Sequence, residues 1–428
     1  MKILIKKGRI IDPATGRDAV LDMLVDGSTI AAVKESIEDA SPDRVIDASG
    51  KIVCPGLIDM HVHLRDPGFE YKEDIESGTA AAVAGGFTTV ACMPNTRPVA
   101  DNKAVVEYIA SRARKVGKAN VLVIGAITKG LNGQEIAEMA DMKAAGAVGF
   151  SDDGKPVMNS EVMRLAMQYA NMLGLPILDH CEDTNLATDG AMNLGFVSTV
   201  MGIKGIPGAA EEVLVARDVI LAKMTGARVH ICHVSTELAC DIVRWAKSLG
   251  VSVTAEACPH HFSATDELVR ELAYDATTKV SPPLRTAQDV RAVKLALKDG
   301  TIDAIATDHA PHHKDDKDVE YAYAANGISG LETAVPLVWT KLIQDGTLSV
   351  QEAVRKLTAV PAKILNFDRG TLICGKTADI TIIDPEADVT VRPESFASKG
   401  KNNPFGGFRL RARPVLTMVA GRIQFEAL

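Results

Sequence analysis

Leu57-Ile58-Asp59-Met60-His61-Val62-His63-Leu64-Arg65 is the stretch on which the fold turns. It is a short apolar run ending in two histidines one residue apart, and it opens a rhythm that continues along most of the chain. Apolar runs at 57–63, 87–93, 121–127, 147–151, 175–179, 228–234, 251–256 and 302–307 alternate with amphipathic stretches such as 103–115, 161–173, 210–225 and 237–249. Strands alternating with helices build parallel βα units joined by right-handed crossovers. Eight such runs predict a closed, TIM-type (β/α)₈ barrel rather than an open sheet.

Outward from this centre the pattern changes. Short strands are expected at 2–6, 19–25 and 29–33, separated by turn signals at Asp12-Pro13 and Asp26-Gly27. Strand character returns at 370–371, 378–383 and 415–424. Both chain ends therefore predict one small β-sandwich module, from 1–54 and 366–428, flanking an α/β barrel over 55–365.

With 428 residues, 46% hydrophobic and 24% charged, the chain can bury a large core and is not a disordered segment. A net charge of −8 argues against nucleic acid or a membrane surface as partner, while leaving room for a small anionic substrate that feels only local charge. Seven cysteines at 54, 92, 181, 232, 240, 258 and 374 include no CxxC pair, which points to a reducing compartment. The opening MKILIKKGRIID reads as a strand rather than a signal peptide, and no run approaches the roughly 20 apolar residues of a membrane span. A cytoplasmic location is expected. Gly85-Gly86 and Gly205-Ile206-Pro207-Gly208 read as turns, not phosphate loops.

The polar residues fall in a telling place. Strand period two puts His61 and His63 on one face, with Met60, Val62 and Leu64 opposite. The fourth run leads into Asp152-Asp153-Gly154, the fifth into His180, the sixth into His233 and the eighth into Asp308. Active sites of barrel enzymes lie at the C-terminal rim of the strands. Closing the barrel would thus gather His61, His63, Asp153, His180, His233 and Asp308 into a nitrogen- and oxygen-rich set suited to Zn²⁺ or another borderline divalent ion. Such a set can hold two ions ~3.5–4 Å apart under a shared carboxylate and lower the pKa of bound water towards ~7. Asp308 reads as a proton carrier between water and a leaving nitrogen, or as a plain ligand or a partner fixing a histidine tautomer.

Arg65, Asn95 and His312 follow the first, second and eighth runs. The arginine can fork onto a carboxylate and the other two can donate single hydrogen bonds, although rim residues of these types also serve as turn and salt-bridge residues. The charged stretch 312–320 and the following Asn326-Gly327-Ile328-Ser329-Gly330 read as a solvated loop or as an active-site wall. His230, His260, His261, His309 and His313 are expected in buried or supporting hydrogen bonds, with His230 facing away from His233. Cys181 and Cys232 are expected to point away from their histidine neighbours as packing residues.

Pro55-Gly56-Leu57-Ile58-Asp59-Met60-His61-Val62-His63-Leu64-Arg65-Asp66-Pro67-Gly68 resembles the first-strand signature of the cyclic amidohydrolases. Ala306-Thr307-Asp308-His309-Ala310-Pro311-His312 resembles the eighth-strand signature of the dihydroorotases. The resemblance runs from end to end and includes Gly375-Lys376-Thr377-Ala378-Asp379-Ile380 and Asn403-Pro404-Phe405. It implies one zinc on His61, His63 and Asp308 and another on His180 and His233. Many relatives bridge the metals with a carbamylated lysine. Gly149-Phe150-Ser151-Asp152-Asp153-Gly154 instead resembles the long-chain (type I) bacterial dihydroorotases, whose bridge is an aspartate, here Asp153. That weakens a hydantoinase or dihydropyrimidinase reading.

The resemblance also assigns Arg65, Asn95 and His312 to the substrate carboxylate. Two positions depart from it: Ser281 stands before Pro282-Pro283-Leu284-Arg285 where the family usually has Asn, and Asn326-Gly327 replaces a frequent Phe-Gly. The implied activity is reversible hydrolysis of (S)-dihydroorotate to N-carbamoyl-L-aspartate in pyrimidine synthesis, with one or two Zn²⁺ per subunit. The alternatives are another cyclic amidase (allantoinase or hydantoinase), or an inactive homologue acting as a scaffold. The family also implies a homo-oligomer and admits a complex with aspartate carbamoyltransferase.

Overall fold

The chain opens with five strands: β1 (Lys2–Asp12), β2 (Arg17–Asp26), β3 (Thr29–Lys34), β4 (Arg44–Asp47) and β5 (Ile52–Pro55). A computed structural model describes residues 1–38 and 40–428. β1 and β2 form a long antiparallel hairpin, and β4 and β5 pair parallel with β1 at its two ends. The last two are only four residues each, too short for an alternation that sequence reading would register.

The barrel follows as β6 (Leu57–Val62), β7 (Phe87–Cys92), β8 (Asn120–Gly125), β9 (Ala147–Phe150) and β10 (Ile177–Asp179). A two-stranded ribbon, β11 (Met192–Asn193) with β12 (Gly205–Ile206), stands outside it. β13 (Val229–Ile231), β14 (Val253–Ala257) and β15 (Ala304–Ile305) complete the circuit. All eight runs pair in the sequential order β6-β7-β8-β9-β10-β13-β14-β15. A parallel bridge from Val62 to His309 and a 2.8 Å bond from the His63 amide to the His309 carbonyl bring the eighth strand's exit back to the first. β6 and β7 are buried at every position, as strands covered on both faces must be. Helices Lys103–Val116, Ser160–Met172, Ala209–Thr225 and Glu237–Ser248 pack outside, and the first starts at an Asn102 side chain that accepts from the Ala104 and Val105 amides. The barrel interior is plugged by Met60, Ala91, Ile124, Leu178, Cys232 and Ala304.

The chain ends in β16 (Ile380–Thr390), β17 (Arg409–Val419) and β18 (Arg422–Glu426). These join the N-terminal strands in one curled sheet, β18-β17-β16-β5-β1-β2-β3, around a core that includes Ile3, Met23, Val25, Ile380 and Leu416. Two expectations need correction. Residues 370–371 are not a strand: Thr371 Oγ1 and the Leu372 amide are held instead by the Asp12 carboxylate, at 3.0 and 2.9 Å. The single run at 415–424 is two strands, because Ala420 and Gly421 adopt φ of 46° and 74° and turn the chain back. A Cβ at position 421 would stand 1.9 Å from the Gly27 carbonyl oxygen, so only glycine allows that approach. Among the described residues, no helix is long and apolar enough to cross a membrane.

Candidate active site

His61 and His63 lie at the C-terminal end of β6, and Asp153, His180, His233 and Asp308 follow β9, β10, β13 and β15. The fold brings all six together, buried. Asp153 sits in the middle. Its Oδ1 is 3.2 Å from His61 Nε2, 3.7 Å from His180 Nδ1 and 3.8 Å from His233 Nε2, while its Oδ2 is 3.4 Å from His63 Nε2. Asp308 Oδ1 lies 2.9 Å from His63 Nε2 and 3.5 Å from His61 Nε2. His180 Nδ1 and His233 Nε2 are 2.8 Å apart.

The set fits a divalent cation on grounds beyond its composition. His61 Nε2 and Asp153 Oδ1 are fully buried and have no hydrogen-bond partner, although each points into the cluster. Orphaned buried polar atoms are rare and costly, and here they are two of the best ligand atoms. His61, His63 and Asp308, and again His61, Asp153 and His233, present ligand atoms within 4.8 Å of one another. Burial alone would raise both aspartates, yet the imidazoles hold Asp153 well below the usual carboxylate range and Asp308 below it.

A supporting layer aims the imidazoles. Glu256, which sequence reading passed over, meets His61 Nδ1 at 2.7 Å and His230 Nε2 at 3.1 Å. Asn95 Oδ1 lies 2.9 Å from His63 Nδ1 and accepts its proton, which leaves the Asn95 amide nitrogen free to donate. These partners fix both rings with Nε2 towards the cluster, as ligating histidines require. Glu182, also missed, lies 3.7 Å from His180 Nε2 and accepts from Ser281 Oγ at 3.0 Å. Burial acts to raise this carboxyl, but the His180 hydrogen bond and charge outweigh it and bring it down to about 2.

Three orientations differ from strand parity. Met60 points into the barrel rather than opposite the histidines, because the β6–β7 register slips between Asp59 and Val62, a bulge. Cys232 does not point away: it shares the barrel interior with His230 and lies within 4.8 Å of ligand atoms on His61 and Glu256. His230 and Cys232 are two apart and so share a face, and His233 joins them because the strand ends and its φ of 35° turns the backbone. His260 and His261 lie on a short helix, Pro259–Ser263, and are buried. Cys181 behaves as expected, lodged between Asp179 and Asp218 at 3.5 Å from each.

Beside the cluster opens a cleft of about 200 Å³ whose walls include Arg65, Asn95, Ser281, His312, Asn326 and Gly327. Arg65 Nε donates to the Pro311 carbonyl at 3.3 Å, and an η nitrogen is 3.3 Å from His312 Nε2. His312 Nε2 donates to the Asn326 carbonyl at 2.8 Å. Burial, with Arg65 and Lys72 nearby, pushes the His312 imidazole down to about 2 and keeps it neutral. The wall is pinned from the C-terminal segment by Asn402, a further residue missed from sequence. Its Nδ2 donates to the carbonyls of Ala310 (3.0 Å) and Gly327 (2.8 Å), while its Oδ1 accepts from the His312 amide and Ser329 Oγ at 2.9 Å each.

Comparison with known proteins agrees with this geometry. A family profile described as dihydro-orotase-like matches residues 50–238, and one for the amidohydrolase family matches residues 222–425. A dihydroorotase of Pelotomaculum thermopropionicum is 56% identical, covering 100% of this chain and 99% of that protein. One of Geobacter metallireducens is 54% identical over 100% of both. Among solved structures, an L-hydantoinase (dihydropyrimidinase) from Arthrobacter aurescens superposes with a TM-score of 0.89 at 28% identity, over 99% of this chain and 96% of that one. Its likeness places the barrel and β-sandwich in the same architecture. The sequence kinship, complete in length and above half in identity, shows that the chain belongs to the dihydroorotases within the metal-dependent amidohydrolases.

Proposed function

We propose that the protein is a zinc-dependent dihydroorotase that interconverts (S)-dihydroorotate and N-carbamoyl-L-aspartate on the route to UMP. The observation that carries this reading is the convergence of four histidines and two aspartates beside an arginine-walled cleft. His61, His63 and Asp308 would hold one ion and His180 and His233 a second, with Asp153 between them. A divalent ion so held supplies a Lewis acid for the ring carbonyl and makes water acidic enough to attack near neutral pH.

The protein's own groups do the rest. An Asp308 carboxylate oxygen takes the proton that the attacking water loses. It returns that proton to the ring nitrogen as the C–N bond breaks, and the reverse transfers serve ring closure. Arg65 forks onto the substrate carboxylate, Asn95 adds its free amide N–H, and His312 shares its Nε2–H between the Asn326 carbonyl and that carboxylate. Ser281, Asn326 and Gly327 shape the opposite wall. The barrel over 55–365 carries the chemistry, while 1–54 and 366–428 brace it. A cytoplasmic homo-oligomer is the state proposed with this activity, and a complex with aspartate carbamoyltransferase is compatible with it.

The test is turnover by zinc-loaded protein on dihydroorotate and carbamoyl aspartate, with hydantoin and allantoin alongside. Activity in both directions on the first pair is expected. Preference for hydantoin or allantoin would replace the reading with another cyclic amidase.

A further inference from the structure

A second cleft, of about 1000 Å³, lies at the other end of the barrel strands, where helix Lys103–Val116 runs into β8 and faces the β17–β18 hairpin. Its walls carry Arg44, Arg114, Lys118, Arg369 and Arg422, and among the described residues no aspartate or glutamate lines it. Arg44 pairs with Glu426, and Arg369 pairs with Asp379 at 3.0 Å. Arg114, Lys118 and Arg422 are exposed, and among the described residues their side chains make no ion pair or hydrogen bond.

In a chain of net charge −8, three uncompensated cations around one concavity reverse the local sign of the field. Like charges so placed repel one another unless an anion shares them. The helix that ends at Val116 turns its carbonyls this way, but its partial negative charge is about half a unit against three full positive ones. Guanidinium groups suit phosphate oxygens, which they can fork in pairs. The volume is at the upper end of ligand pockets and far exceeds one oxyanion. The Phe367 ring also lines the cleft, with the Arg369 guanidinium 5.2 Å from its centroid, and so offers a flat apolar platform.

We propose that this cleft binds a small phosphorylated molecule of nucleotide size, carrying at least two phosphate groups shared among Arg114, Lys118 and Arg422. It opens away from the catalytic rim, so its ligand does not compete with substrate.

Isothermal titration of the metal-loaded protein with pyrophosphate and with adenosine 5′-triphosphate tests this, on wild type and on Arg114→Ser/Lys118→Ser/Arg422→Ser. One saturable site per chain is expected, at least tenfold weaker in the triple variant, with turnover unchanged because these exposed side chains stand clear of the catalytic cleft. Arg65→Met, which alters only that cleft, should keep the site. Tighter binding of adenosine 5′-triphosphate than of inorganic triphosphate, run alongside, would assign the ring to Phe367, and equal binding of those two would assign the phosphates alone; both support the proposal. No saturable binding of any probe overturns it, as does unchanged affinity in the triple variant, or loss of binding in Arg65→Met.

Discussion

Asp308 stands at a backbone φ of 48°, Arg65 at 60° and His233 at 35°, in the left-handed region that side chains with a Cβ normally avoid. Each such residue costs on the order of 1–3 kcal/mol, and here the strain aims three candidate site residues from strand ends into one space. Of the three, Asp308 has the clearest chemical task. Asp308→Ala is expected to lower kcat on dihydroorotate by about 10²–10⁴-fold or more, since it removes a proton carrier as well as a ligand. Alanine inherits the same φ without adding bulk, so folding should survive, as far-UV circular dichroism would report. Near-normal turnover would end the proton-carrier assignment. The six candidate ligands were legible from sequence because histidine and aspartate at strand ends are chemically conspicuous. Glu256 was not, because a glutamate inside an apolar run reveals its role only when His61 and His230 close around it.

At the scale of elements, the wall of the candidate cleft is held from a distance. Asn402 makes four side-chain hydrogen bonds that tie the exit of β15 to the 327–329 segment. Asn402→Ala strands buried donors and acceptors and is expected to destabilise the protein by about 2–4 kcal/mol. Because it loosens His312 and Gly327, KM for dihydroorotate should rise about tenfold or more while kcat falls less. Steady-state kinetics would separate the two, and an unchanged KM would remove Asn402 from the wall. A second link from the same segment carries a pH signature. The Ser398 amide donates to Glu332 at 3.2 Å, yet burial raises the Glu332 carboxyl to about 7. The folded chain keeps this proton up to about pH 7, whereas the unfolded chain releases it near the ordinary glutamate value of 4.5. Folding therefore takes up a proton between those values, and this group's contribution to stability is lost as pH rises through the window. Glu332→Gln should match wild type near pH 4.5 and exceed it by about 2 kcal/mol at pH 8, after discounting for solvent screening. Melting temperatures across that range would show it, and a constant difference would refute the link.

For the whole molecule, the proposed metal site would tie stability to metal. An ion that binds only the folded chain stabilises it by mass action, about 2.7 kcal/mol at a hundredfold excess over Kd. Exhaustive chelation is thus expected to abolish turnover and lower Tm by about 3 °C, with zinc restoring both in calorimetry and assay. An unchanged Tm would mean that the six residues hold no structural metal. The eight-stranded barrel, the β module drawn from both chain ends and the identity of the rim residues follow from period, alternation and residue type, because those express local backbone geometry and burial. The turn of Met60 and Cys232 into the barrel, the split of 415–424 into a hairpin, and the reach of Glu256, Glu182 and Asn402 into the site do not. They depend on register slips, left-handed residues and contacts between segments far apart in the chain, none of which leaves a local pattern to read. The fold was therefore written in short-range order, while the aim of each side chain was settled only when distant segments packed together.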